Sequence, residues 1–214
     1  MVFIIIGHYG SGKTNFACNI AEKLVEKYAG GETVAIADLD IVNPYFRTAD
    51  YTAELEAAGV KVIASNFQTS TLDIPSLTFD LAALSGEYDN LIIDVGGDDE
   101  GAKVLGRYMN ALDKGKISIL YVVNFRRYLT RTAEDALEIL REMEAVTGVK
   151  ANNLVNNTNL AEETTAEVIA ESTAEADKLA GFMDVKNIIT VVPEGIDYKP
   201  LNAFTAKIIV NKPW

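Results

Sequence analysis

Eight consecutive residues, Gly7-His8-Tyr9-Gly10-Ser11-Gly12-Lys13-Thr14, fit the spacing G-x-x-x-x-G-K-[ST]. The chemistry such a run can do is phosphate binding. Its glycines let backbone N–H groups converge on phosphate oxygens, and the N-terminus of a following helix adds a favourable partial charge. Lys13 is expected to reach the β- and γ-phosphates of a nucleotide, and the Thr14 hydroxyl to bind Mg²⁺. Average residue frequencies produce this spacing by chance in about one chain in a hundred of this length. Context narrows it, because an apolar strand pattern precedes the run and a helical pattern follows.

Two further segments carry carboxylates where a cation beside a phosphate needs them. The second strand pattern ends in Asp38-Leu39-Asp40, and the fourth runs Leu91-Ile92-Ile93-Asp94-Val95-Gly96-Gly97. Asp94 has the form of a Walker B aspartate, which holds Mg²⁺ directly or through water. Gly97 is placed to give a backbone N–H to a γ-phosphate.

These residues must be positioned by alternating elements. Apolar runs at Val2–Ile6, Thr33–Ala37, Val60–Ile63, Leu91–Ile93, Ile117–Val123, Leu154–Val155 and Ile188–Val192 predict strands. Most are continuously apolar, as in strands buried on both faces. Helical patterns fall at about 13–28, 74–85, 100–113, 131–146 and 162–180. The alternation predicts an α/β fold of three layers, a mainly parallel twisted sheet with helices on both faces. Ligands of such sheets lie beyond the carboxyl ends of the strands. No linker or composition shift divides the 214 residues, so a single nucleotide-binding domain over 1–214 is expected.

Charge and composition exclude several classes. With a formal net charge of -12, sequence-independent binding to nucleic acid or to an anionic membrane is not expected. One cysteine excludes a disulfide framework within the chain and fits a reducing, cytoplasmic compartment. No apolar run approaches the ~20 residues of a membrane helix, and no targeting segment is evident.

The phosphate loop, Asp38-Leu39-Asp40 and Asp94-Val95-Gly96-Gly97 together resemble the CobQ/CobB/MinD/ParA nucleotide-binding domain family of the SIMIBI class of P-loop NTPases. The resemblance implies ATP and Mg²⁺ as cofactors. It assigns Asp40 to positioning the attacking water and Asp38 to supporting a metal site made with Thr14 and Asp94. It also places an asparagine after the sixth strand against adenine, matched here by Asn156 or Asn157. A loop beginning at Pro193 would flank the base. The guanine-reading N-K-x-D motif is absent after a strand, which favours ATP. One departure stands out: the family's loop carries a lysine where this chain has His8, with Tyr9 in place of the next glycine. That lysine reaches across a nucleotide-bridged homodimer, so His8 puts this mode of dimerisation in doubt.

Other features read more plainly. Asp98-Asp99-Glu100 suits the first turn of a helix, with a mobile acidic switch as the alternative. Arg126, Arg127 and Arg131 suit a solvated helix start, with binding to a phosphate or an acidic partner as the alternative. Cys18 suits a buried structural thiol. The resulting expectation is a slow Mg²⁺-dependent ATPase that switches an unidentified partner protein. A small-molecule kinase or ATP-dependent ligase, and an adaptor gated by nucleotide with negligible hydrolysis, are the alternatives.

Overall fold

Five apolar residues form β1 (Val2–Ile6), with side chains divided between two cores: Val2, Ile4 and Ile6 on one face, Phe3 and Ile5 on the other. A strand covered on both faces has no wet side, which explains the unbroken apolar run. The computed structural model describes residues 1–29, 31–39, 48–64, 80–97, 99–109 and 112–210. The same two-sided burial holds for β2 (Val34–Leu39) and β4 (Asn90–Val95), where every residue is buried. With β3 (Lys61–Ala64), β5 (Ile117–Val123), β6 (Asn153–Asn156), β7 (Ile188–Pro193) and β8 (Ala203–Ala206), they form one eight-stranded sheet. Its order is β3-β2-β4-β1-β5-β6-β7-β8, and every neighbouring pair is parallel.

One face is covered by α1 (Lys13–Tyr28), through Phe16, Ala17 and Ile20, and by α2 (Thr52–Ala57), through Leu55. The other carries α3 (Leu81–Glu87), α4 (Asp99–Tyr108) and α5 (Ala133–Thr147), which bury Leu81, Leu105, Ala136 and Leu140. There α6 (Ala166–Glu171) precedes α7 (Thr173–Met183), which adds Ala176 and Leu179 to the same core. This is the three-layer α/β architecture expected from the alternation of patterns.

Differences in detail have local causes. The helix expected over 162–180 is two helices, because the Ser172 backbone N–H bonds to Ile169 O at 3.1 Å and its hydroxyl donates to the same carbonyl at 2.6 Å. Helix α5 starts at Ala133 because Thr132 and Asp135 cap it reciprocally. Of the helix expected over 74–85, residues 74–79 lie outside the described residues, and α3 runs from Leu81, where Asp80 accepts from Ala82 N. Neither α2 nor β8 stood out in the sequence. Both are short, and β8 is a half-exposed edge strand without an apolar run. Beyond β8 the chain is tied to α1: Asn15 and Asn19 bond the backbone of Lys207, and Asn15 Oδ1 also accepts from Ile209 N and Val210 N. Among the described residues no helix is long and apolar enough to cross a membrane.

Candidate nucleotide site

The loop from Gly7 to Gly12 joins β1 to α1 at the carboxyl edge of the sheet, where an α/β fold places its ligands. Gly12 caps α1 at φ 85°, a left-handed conformation that excludes most side chains, and it provides no side-chain cap. The first turn of α1 contains no acid. The positive end of the helix is therefore left for an external anion. Lys13 is buried, and its ammonium folds back over the loop to donate to His8 O at 3.3 Å.

Neighbouring elements grip the loop closely. A Cβ on Gly97 would stand 2.7 Å from Tyr9 N and 2.9 Å from Lys13 Nζ, so only glycine lets the end of β4 approach the loop this tightly. A Cβ on Gly7 would meet Val122 O of β5 at 2.3 Å. On the β6 side, Asn157 Nδ2 donates to Ser11 O at 2.7 Å. On the β5 side, Arg127 Nε donates to Gly10 O at 3.0 Å.

The carboxylates sit beside it. Asp38 and Asp94 are register partners across β2 and β4 and share the face covered by α1. Both are buried, and Thr48 Oγ1 donates to Asp94 Oδ2 at 3.0 Å. Below them on α1, burial pushes the Cys18 thiol far above its ordinary range, with the Asp94 and Asp38 carboxylates adding to the shift. It stays protonated, as a structural thiol should. Two adjacent buried carboxylates need positive charge nearby. Among the described residues no three His, Cys, Asp or Glu side chains cluster to hold a metal on their own. Two carboxylates and the Thr14 hydroxyl, all oxygen donors, instead suit Mg²⁺ shared with a phosphate.

The chain has the P-loop NTPase fold. Its structure resembles that of cell division protein FtsY from Thermotoga maritima, with a TM-score of 0.61 and 19% identity over 90% of this chain and 61% of that one. FtsY from Mycoplasma mycoides gives 0.56 and 18%, over 86% of this chain and 57% of its own. The chain thus spans about three fifths of these FtsY chains. A nucleotide-binding protein from Archaeoglobus fulgidus, in complex with ADP, gives 0.53 and 17%, over 88% and 80%. The hydrogenase maturation factor HypB from the same organism gives 0.51 and 17%, over 89% and 80%. No protein-family model matches the chain, and neither does any curated protein.

Within this fold, the loop residues, Lys13, Thr14, Asp38, Asp94 and Gly97 gather at one edge. Asp40 and Asp98 lie outside the described residues. Asn156 and Asn157 point to opposite faces. The Asn156 amide is engaged at both ends: Nδ2 donates to Ser172 Oγ at 2.8 Å, and Oδ1 accepts from Thr158 Oγ1 at 2.7 Å. Asn157 is the one that meets the phosphate loop. Pro193 ends β7, next to β6, and begins the turn closed by Ile196 N on Pro193 O at 3.2 Å.

Sequence reasoning did not find Thr48, whose partner is 46 residues away. Arg127, for which a solvated helix start and a phosphate contact are both open in the sequence, borders the phosphate loop. The available signal was topological: β5 lies beside β1, so the residues after β5 must border the loop.

His8 is half-buried, and burial together with the Lys13 charge holds its pKa below the ordinary value, so the imidazole is neutral at pH 7. It therefore lacks the charge of an ammonium at this position. His8→Ala should change phosphate release from ATP by less than about fivefold, or ~1 kcal/mol of barrier. A larger loss in single-turnover assays would give His8 a direct part in the chemistry.

Proposed function

We propose that this chain is a SIMIBI-class, Mg²⁺-dependent ATP-binding protein related to the CobQ/MinD/ParA group, hydrolysing ATP slowly and using the nucleotide state to control a partner protein in the cytoplasm. The observation that carries this reading is the uncapped N-terminus of α1 under a glycine loop, with the Lys13 ammonium folded over it and the Asp38–Asp94 pair alongside.

In this reading the phosphates lie on the loop amides, and Lys13 neutralises charge on the β- and γ-oxygens. Thr14, Asp38 and Asp94 would hold Mg²⁺, which would supply further neutralisation of the phosphate oxygens. Asp40 orients a water in line with the γ-phosphorus. As the new P–O bond forms, the bond to the β,γ-bridging oxygen breaks, ADP leaves with the electron pair, and the proton lost by the attacking water passes to an oxygen of the product phosphate. Gly97 contacts the γ-phosphate through its N–H, so loss of that phosphate releases the segment after β4. Asn157 holds Ser11 O with one N–H and has a second for a ring acceptor of the base.

The ADP complex of the structurally similar A. fulgidus protein supports adenine, as does the lack of a guanine-reading motif. The neutral His8 favours one second reading, an adaptor that binds ATP without turnover. Titration calorimetry with Mg²⁺-ATP and Mg²⁺-GTP tests the proposal, followed by phosphate release. ATP is expected to bind more tightly than GTP and to be hydrolysed slowly. Binding without release would support the adaptor, and no binding of either nucleotide would refute both readings.

A further inference from the structure

Arg127 is mounted on a rigid turn after β5. Its backbone N–H donates to Asn124 O at 3.1 Å, and Thr130 Oγ1 donates to the same carbonyl at 2.7 Å. Asn124 Oδ1 accepts from Arg126 N at 2.9 Å, Phe125 N donates to Thr158 Oγ1 at 3.1 Å, and Arg126 pairs with Glu171. The turn fixes the backbone position from which the Arg127 side chain reaches the loop.

What it grips is one peptide of the phosphate loop. The Gly10–Ser11 peptide is held at its oxygen by Arg127 Nε and at its N–H by His8 O, at 3.0 and 3.1 Å. The oxygen of the next peptide is held by Asn157. In a trans peptide the C=O and N–H point in opposite directions. Anchoring the Ser11 oxygen on the outside therefore turns the Gly12 N–H the other way, toward the bound anion. Beyond its bond to Gly10 O, the Arg127 guanidinium makes no other hydrogen bond among the described residues, and it is exposed. Its two terminal amino groups retain their donors.

We propose that Arg127 is a positioning residue of the nucleotide site: it fixes the Gly10–Ser11 peptide from outside the loop and sets a second fixed positive charge, after Lys13, beside the bound phosphates. This rests on the nucleotide-binding reading above. It also accounts for a loop with a neutral residue at position 8, since the charge arrives from β5 within the same chain.

The test is Mg²⁺-ATP affinity by titration calorimetry at low and high salt, for the full chain and for Arg127→Ala, Arg127→Lys and Arg127→Gln. Arg127→Ala should bind about tenfold more weakly, the scale of one charge-assisted hydrogen bond. Arg127→Lys should recover most of that loss, Arg127→Gln little of it, and the gap between them should shrink at high salt. Wild-type affinity in Arg127→Ala would overturn the proposal. So would equal affinities in the lysine and glutamine variants, a comparison that stands even if the alanine variant does not fold. Failure of the wild-type chain to bind any nucleotide would instead remove the nucleotide reading itself.

Discussion

Replacing Lys13 with alanine is expected to weaken Mg²⁺-ATP binding about 100-fold while leaving the fold intact. The ammonium is buried, folded over the loop onto His8 O, and close enough to Gly97 to leave no room for a Cβ there. With nucleotide bound, a cation in that position would make charge-assisted bonds to phosphate oxygens in a partly desolvated setting, each worth ~1.5–3 kcal/mol. Their loss exceeds what the loop amides alone can recover. The hydrophobic cores on both faces of the sheet do not include the Lys13 side chain, so the fold is expected to persist with lower stability. Calorimetric titration of both proteins, with circular dichroism as the control for folding, measures the effect. Equal affinities would remove Lys13 from the site.

The second large effect is expected on chemistry rather than on binding. Asp40→Ala should retain ATP affinity and lose phosphate release by ~100-fold, the scale of one oriented catalytic group. Asp40 follows the last described residue of β2, two positions after Asp38. Phosphate release in a single turnover separates the two effects. Unchanged release would transfer the orienting role to Asp38 or to the segment after Asp94. Loss of ATP affinity instead would make Asp40 a binding group.

The parts of this structure that were legible in the sequence are those with local causes. Val2–Ile6 is apolar throughout because both faces of β1 are covered, and the helix expected at 13–28 is observed as Lys13–Tyr28. The order of strand and helix patterns was enough to expect a three-layer α/β fold. The juxtaposition of Asp38 and Asp94 follows from the β2–β4 register, which no local pattern encodes. Thr48 on Asp94, Asn157 on Ser11 O and Arg127 on Gly10 O are contacts between elements far apart in the chain. Two adjacent asparagines look alike in sequence. Strand alternation sends Asn156 to Ser172 near α6 and α7, and Asn157 to the phosphate loop. The helical pattern over 162–180 runs through Ser172, and the turn that splits it depends on hydrogen bonds of that serine.

The most direct test of the central claim is a crystal structure of the chain with Mg²⁺ and a non-hydrolysable ATP analogue. The β- and γ-phosphates are expected on the amides of residue 10 and residues 12–14, the Ser11 N–H being held by His8 O. Lys13 Nζ should lie on the γ-phosphate, the metal between Thr14 and the Asp38–Asp94 pair, and Gly97 N within hydrogen-bonding distance of a γ-oxygen. A nucleotide bound elsewhere, or phosphates on the loop with no metal near Asp38 and Asp94, would contradict it.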